Sequence, residues 1–112
     1  MIIDNHRVVN GTYYHKETSQ KMASLLEAIR CRNQRVRFHW GDVETGEDWG
    51  DIYDVCGTIG RSMGPHKVPI LIYNSRSTGG TPILDNCIVK IEFADKREGV
   101  IYQHPRYHVK PN

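Results

Sequence analysis

The sequence lacks most of the features that announce a function directly. Its three cysteines, Cys31, Cys56 and Cys87, are too widely spaced for a CxxC, and an odd number cannot pair off completely within one chain. They read as reduced core thiols of a cytosolic protein. The six histidines, His6, His15, His39, His66, His104 and His108, contain no HxH, and their one HxxxH is His104–His108. His104 and His108 have helical spacing, but Pro105 between them breaks a continuous helix. A zinc site would therefore need ligands from distant parts of the fold, and no metal or cofactor is expected. There is no GxSxG elbow and no Gly-Lys-Ser/Thr ending of a Walker loop, so no catalytic residue is assigned.

Long hydrophobic runs are missing too. Nothing approaches the roughly 18 apolar residues of a membrane span, and "MIIDNHRVV" carries an acidic residue where a signal peptide would be apolar. A soluble, intracellular protein without membrane partners is the expectation. Charge of one sign is scarce: 15 Lys/Arg against 13 Asp/Glu leave a formal +2. That excludes the polycationic face of a dedicated binder of long nucleic acid but leaves room for a small anion. The acidic stretch "GDVETGEDWGD" lacks the alternating ligand spacing of an EF-hand and reads as a solvated hairpin tip.

What is present suits a single domain over residues 1–112. In "TSQKMASLLEAIRCRN", Met22, Leu25, Leu26 and Ile29 follow the i, i+3, i+4, i+7 pattern, which predicts a helix capped by Thr18 or Ser19 and ending near Asn33. Apolar and polar residues alternate from Val36 to Trp40, and Thr45-Gly46 predicts a hairpin connection. "DIYDVCGTIGR" alternates again, and Pro69 makes "KVPILIYN" an edge strand or places the proline at a strand start. Ile88–Phe93, a turn over Asp95–Gly99 and a return over Val100–Tyr102 form a further hairpin. With an early strand in "RVVNGTYYH", the expected fold is α+β: one long N-terminal helix and a mainly antiparallel sheet of five or six strands.

One phrase recurs. Arg-Ser-x-Gly occurs at Arg61–Gly64 and again at Arg76–Gly79, on either side of the apolar run "VPILIYN". Arginine offers a planar fork matched to phosphate oxygens, Ser and Thr add hydroxyl donors, and glycine lets backbone N–H groups approach an anion. "NSRSTGG" concentrates all of these. The candidate ligand-binding residues are accordingly Arg61, Ser62, Asn74, Arg76, Ser77 and Thr78. Trp40, in the Arg- and aromatic-rich "RVRFHW", joins them as a stacking partner for a base. The same letters also build ordinary turns, and Phe38 and Trp40 also suit core or interface packing.

The stretch "GDVETGEDWGDIYDVCGTIGRSMGPHKVPILIYNSRSTGGTPILDNCIVKIEF", continuing to "YQHP", resembles the phage-encoded Thoeris anti-defence proteins of the first kind, and the likeness runs from "VVNGTYYHKET" onward. The resemblance implies a non-enzymatic sponge that sequesters cyclic ADP-ribose isomers made by bacterial TIR proteins, with cyclic oligonucleotides as further ligands. It also implies a homo-oligomer built from dimers and action in the cytoplasm of an infected bacterial host. Two other readings stay open on the residues themselves. One is an enzyme that degrades such a nucleotide with a histidine as acid or base. The other is a small RNA-binding or protein-interaction module, for which "RVRFHW" is the best argument.

Overall fold

Asn10-Gly11 reverses the chain almost at its start. Both residues have positive φ, 51° and 77°, the combination that a two-residue hairpin of right-handed twist demands. The computed structural model describes residues 2–3, 5–50, 55–73 and 80–107. It divides into two compact units, Met1–Gln34 with Thr58–Asn86, and Arg35–Gly57 with Cys87–Asn112.

In the first unit, β1 (Ile2–Ile3), β2 (His6–Val9) and β3 (Thr12–His15) form an antiparallel sheet in that order. β2 and β3 pair from Val9↔Thr12 to His6↔His15. The alternation buries Thr12 and Tyr14 and leaves Tyr13 and His15 half-buried. Helix α1 (Gln20–Cys31) follows. Ser19 caps it by accepting the Met22 N–H at 3.1 Å, while Thr18, the other candidate cap, is buried and donates its hydroxyl to Asp85. Met22, Ala23, Leu26 and Ile29 fill the buried face. Asn33, at φ 49°, ends the helix in a Schellman turn: its N–H reaches Arg30 O at 3.0 Å and that of Gln34 reaches Ile29 O at 3.2 Å. The later half of β6 (Val55–Arg61) pairs with β7 (Pro69–Ile72), which pairs with β8 (Thr81–Pro82). Pro69 opens its strand, as expected from its missing N–H.

In the second unit the sheet order is β10 (Val100–Gln103), β9 (Ile88–Phe93), β4 (Val36–Asp42), then the start of β6, with the short β5 (Glu47–Asp48) paired to the end of β4. Val36, Phe38 and Trp40 point into the core with Ile91, and Arg37 and His39 lie on the opposite face beside Glu92 and Lys90. Gly41 is required where β4 meets β5, because a Cβ there would overlap the Glu47 carbonyl. The turn before β10 is a single 3₁₀ turn capped by Asp95 and closed by Gly99 at φ 98°.

The α+β class and the antiparallel pairing match expectation; the helix does not. It spans 12 residues and follows three strands, so it is neither N-terminal nor long. The single early strand is a hairpin, split by Asn10-Gly11, and three of the ten strand segments among the described residues are two-residue pairings too short to show a period. The cysteines are not core thiols: Cys31 is exposed on α1, Cys56 and Cys87 are half-buried, and none of the three forms a disulfide. Among the described residues no helix is long and apolar enough to cross a membrane.

Candidate functional site

The two copies of Arg-Ser-x-Gly part company in the fold. Arg61 ends β6, and its Nη2 donates to Glu27 Oε2 at 2.9 Å and to the Asn10 carbonyl at 3.0 Å. One guanidinium thus ties the first hairpin turn and helix α1 to the end of β6. Ser62 closes the loop that follows: its hydroxyl donates to His66 O at 3.0 Å and accepts the Val68 N–H at 3.1 Å. Gly64 supplies the positive φ, 108°, that the loop requires. In the first copy, Arg61 Nη2 and the Ser62 hydroxyl are thus bonded to the protein itself, while Arg61 Nε is buried without a hydrogen-bond partner among the described residues.

Glu27 is the centre of this arrangement and was not singled out by sequence reasoning. It is buried on α1 and accepts at Oε1 from Tyr14 Oη at 2.9 Å and Thr12 Oγ1 at 3.3 Å, and at Oε2 from Arg30 and Arg61. Burial pushes its carboxyl up, but hydrogen bonds from Arg30, Tyr14 and Arg61 outweigh this and hold it below the ordinary carboxylate value. The Tyr14 hydroxyl goes the other way, raised by burial and then by its bond to the Glu27 anion. Arg30, three residues on from Glu27, was the available signal: an i, i+3 ion pair whose acidic member sits next to Leu26 on the apolar face.

Trp40 is a core residue. It is 2% exposed and stacks on Phe38 with ring centroids 5.5 Å apart and planes at 22°. Its parity with Phe38 along β4 commits it to the buried face, so it does not offer a ring to a base.

Asn74, Arg76, Ser77 and Thr78 lie outside the described residues. Both flanks make contacts within the first unit. Tyr73 follows β7 directly, and its hydroxyl meets Thr81 Oγ1, at the start of β8, at 2.9 Å. At Gly80 an added Cβ would stand 3.0 Å from Ile70 Cδ1 and 3.1 Å from the Leu71 carbonyl, so the chain re-enters the sheet in close contact. The second copy of the motif thus spans the connection between two paired strands.

Among the described residues no group of three or more His, Cys, Asp and Glu is placed to hold a metal ion. The second unit nevertheless concentrates charge on the polar face of its sheet. His39 lies between Asp48 and Glu92, and Glu92 also faces Lys90 Nζ at 3.4 Å and Arg37 Nε at 3.6 Å. Burial raises the Glu92 carboxyl, but the His39 hydrogen bond and the Lys90 charge prevail and bring it below its ordinary value. No family model, no curated protein and no solved structure matches this chain.

Proposed function

We propose that the protein binds a small, multiply anionic cyclic nucleotide at the 74–79 connection and withholds it without cleaving it. The observation that carries this reading is the contrast between the two arginine phrases. Arg61 is committed to Glu27 and Asn10, whereas Asn74, Arg76, Ser77 and Thr78 form the densest donor cluster of the chain, between strands fastened by the Tyr73–Thr81 bond. Charge-assisted bonds from a guanidinium, hydroxyls and glycine-freed backbone N–H groups suit a pyrophosphate. The resemblance to phage Thoeris anti-defence proteins supplies the ligand class, cyclic ADP-ribose isomers and secondarily cyclic oligonucleotides, and the setting, the cytoplasm of an infected bacterium. A sponge needs affinity rather than turnover, and a dissociation constant near about 1 nM corresponds to about −12 kcal/mol.

Incubation with cyclic ADP-ribose isomers is expected to deplete free ligand, and denaturing the protein to return the same species. Product accumulating beyond one equivalent per chain would establish catalysis and overturn the sponge reading. The same reading entails an assembly of at least two chains. Light scattering at micromolar concentration should give the mass of a dimer or larger, and a monomeric mass would count against it.

A further inference from the structure

His39 is gripped from both sides. In the second unit its Nδ1 lies 3.1 Å from Asp48 Oδ2 and its Nε2 lies 3.1 Å from Glu92 Oε1. A neutral imidazole has one N–H and one lone pair, so it can donate to only one of two carboxylates. The other ring nitrogen would then present a lone pair to a carboxylate oxygen, with no proton between them, where His39, Asp48 and Glu92 are all largely buried. Moving the proton to a carboxyl group does not relieve this. The Glu92 carboxyl is held below its ordinary value by the His39 hydrogen bond and then by the Lys90 charge, with Arg37 Nε 3.6 Å away, and Asp48 already accepts the Tyr107 hydroxyl at 3.2 Å on Oδ2 and the Gly50 N–H at 2.7 Å on Oδ1.

We propose that His39 is a doubly protonated clasp, an imidazolium that donates to Asp48 and Glu92 at once, and that loss of one ring proton to solvent loosens the segments Asp48 holds. Those segments are the β4–β5 hairpin and the turn His104–Tyr107. Asp48 is one of only two residues in β5, and it fastens Gly50 and Tyr107 as well as His39. The hairpin turn and the His104–Tyr107 turn also meet directly: Arg106 Nη1 donates to Glu44 O at 2.8 Å, and a Cβ at Gly46 would overlap the Arg106 carbonyl. Among the described residues, the charged and titratable groups facing the clasp include Arg37 on β4, Asp48 on β5, Lys90 and Glu92 on β9, and Tyr107, over whose ring Lys90 Nζ sits at 5.5 Å. With a neutral ring, two anions are left to two cations and the bridge between β5 and β9 has one donor too few.

Nitrogen-15 NMR of the imidazole rings tests this, combined with amide hydrogen exchange between about pH 5 and about pH 8, where imidazole changes charge. At the acid end both His39 nitrogens should carry protons. Exchange from Thr45 to Gly50, corrected for the intrinsic pH dependence, should accelerate about tenfold or more as the second proton leaves. Exchange in β9 should not follow. Glu92→Gln replaces an acceptor with a side chain that can donate to a neutral ring, so in this variant the pH dependence at the hairpin should disappear. A singly protonated His39 with the hairpin amides fully protected overturns the clasp, as does an unchanged pH response in Glu92→Gln.

Discussion

Glu27→Ala should destabilise the first unit by about 3 to 5 kcal/mol, the cost of removing one member of a buried ion-pair network and stranding the rest. Four side chains converge on this carboxylate, from β3 (Thr12 and Tyr14), from α1 itself (Arg30) and from the end of β6 (Arg61). Without it the Tyr14 hydroxyl, on a side chain 1% exposed, loses the acceptor it donates to, and Arg61 keeps only the Asn10 carbonyl. Glu27→Gln preserves the shape and an acceptor for Tyr14 but loses the charge, so its cost should be smaller. The pH dependence has a definite sign. The folded-state carboxyl is held below its ordinary value, so its stabilisation is present above the ordinary carboxylate range, about pH 4 to 5, and is lost as pH falls through the depressed value. Chemical denaturation of the three proteins at neutral and acid pH checks this: the wild type should lose more stability on acidification than Glu27→Ala. A neutral-pH loss below about 1 kcal/mol would show that the network adds little to the fold.

Arg76→Ala should weaken cyclic nucleotide binding by about 1.5 to 3 kcal/mol, roughly tenfold to more than a hundredfold, and leave folding nearly unchanged. The expectation rests on chemistry around position 76, where Asn74, Ser75, Ser77 and Thr78 add donors and Gly79-Gly80 frees the backbone. A guanidinium that meets two phosphate oxygens at once loses both bonds on truncation, whereas an arginine in a turn generally matters to stability by less than about 0.5 kcal/mol. Calorimetric titration of wild type and variant with the same cyclic ADP-ribose isomer, alongside thermal melts, reads the two effects separately. Equal affinities would return "NSRSTGG" to an ordinary turn.

Local pattern made much of the architecture legible and long-range chemistry did not. The α1 apolar face, the Thr45-Gly46 turn, the Pro69 strand start and the hairpin from Ile88 to Gln103 each follow from residues within one element. Asn10-Gly11 was equally local, a strong hairpin signal that a single-strand reading of Arg7–His15 passes over because polar residues interrupt the alternation on both sides. Glu27 was hidden for a different reason. Three of its four partners stand 13, 15 and 34 positions away, so only the folded chain shows that a helix glutamate is the acceptor for Arg61. That distant pairing is also why two identical phrases looked equivalent in sequence. Phe38 and Trp40 show the limit of composition: a ring beside arginines suggests stacking on a base, yet strand parity sends both rings into the core. In the candidate site, Arg76 and its neighbours still stand on their residue chemistry alone.

The central claim is a division of labour, Arg61 for the fold and Arg76 for the ligand. The shift in melting temperature produced by cyclic ADP-ribose isomers in wild type, Arg61→Ala and Arg76→Ala tests it most directly, since a ligand that binds only the native state raises the melting temperature. The account predicts that Arg76→Ala melts like wild type without ligand and loses most of the shift, while Arg61→Ala melts lower, by the cost of about 1 to 3 kcal/mol for a lost charge-assisted bond to a buried partner, and keeps the shift. A lowered melt in Arg76→Ala with its shift intact, or a shift abolished only in Arg61→Ala, would contradict it.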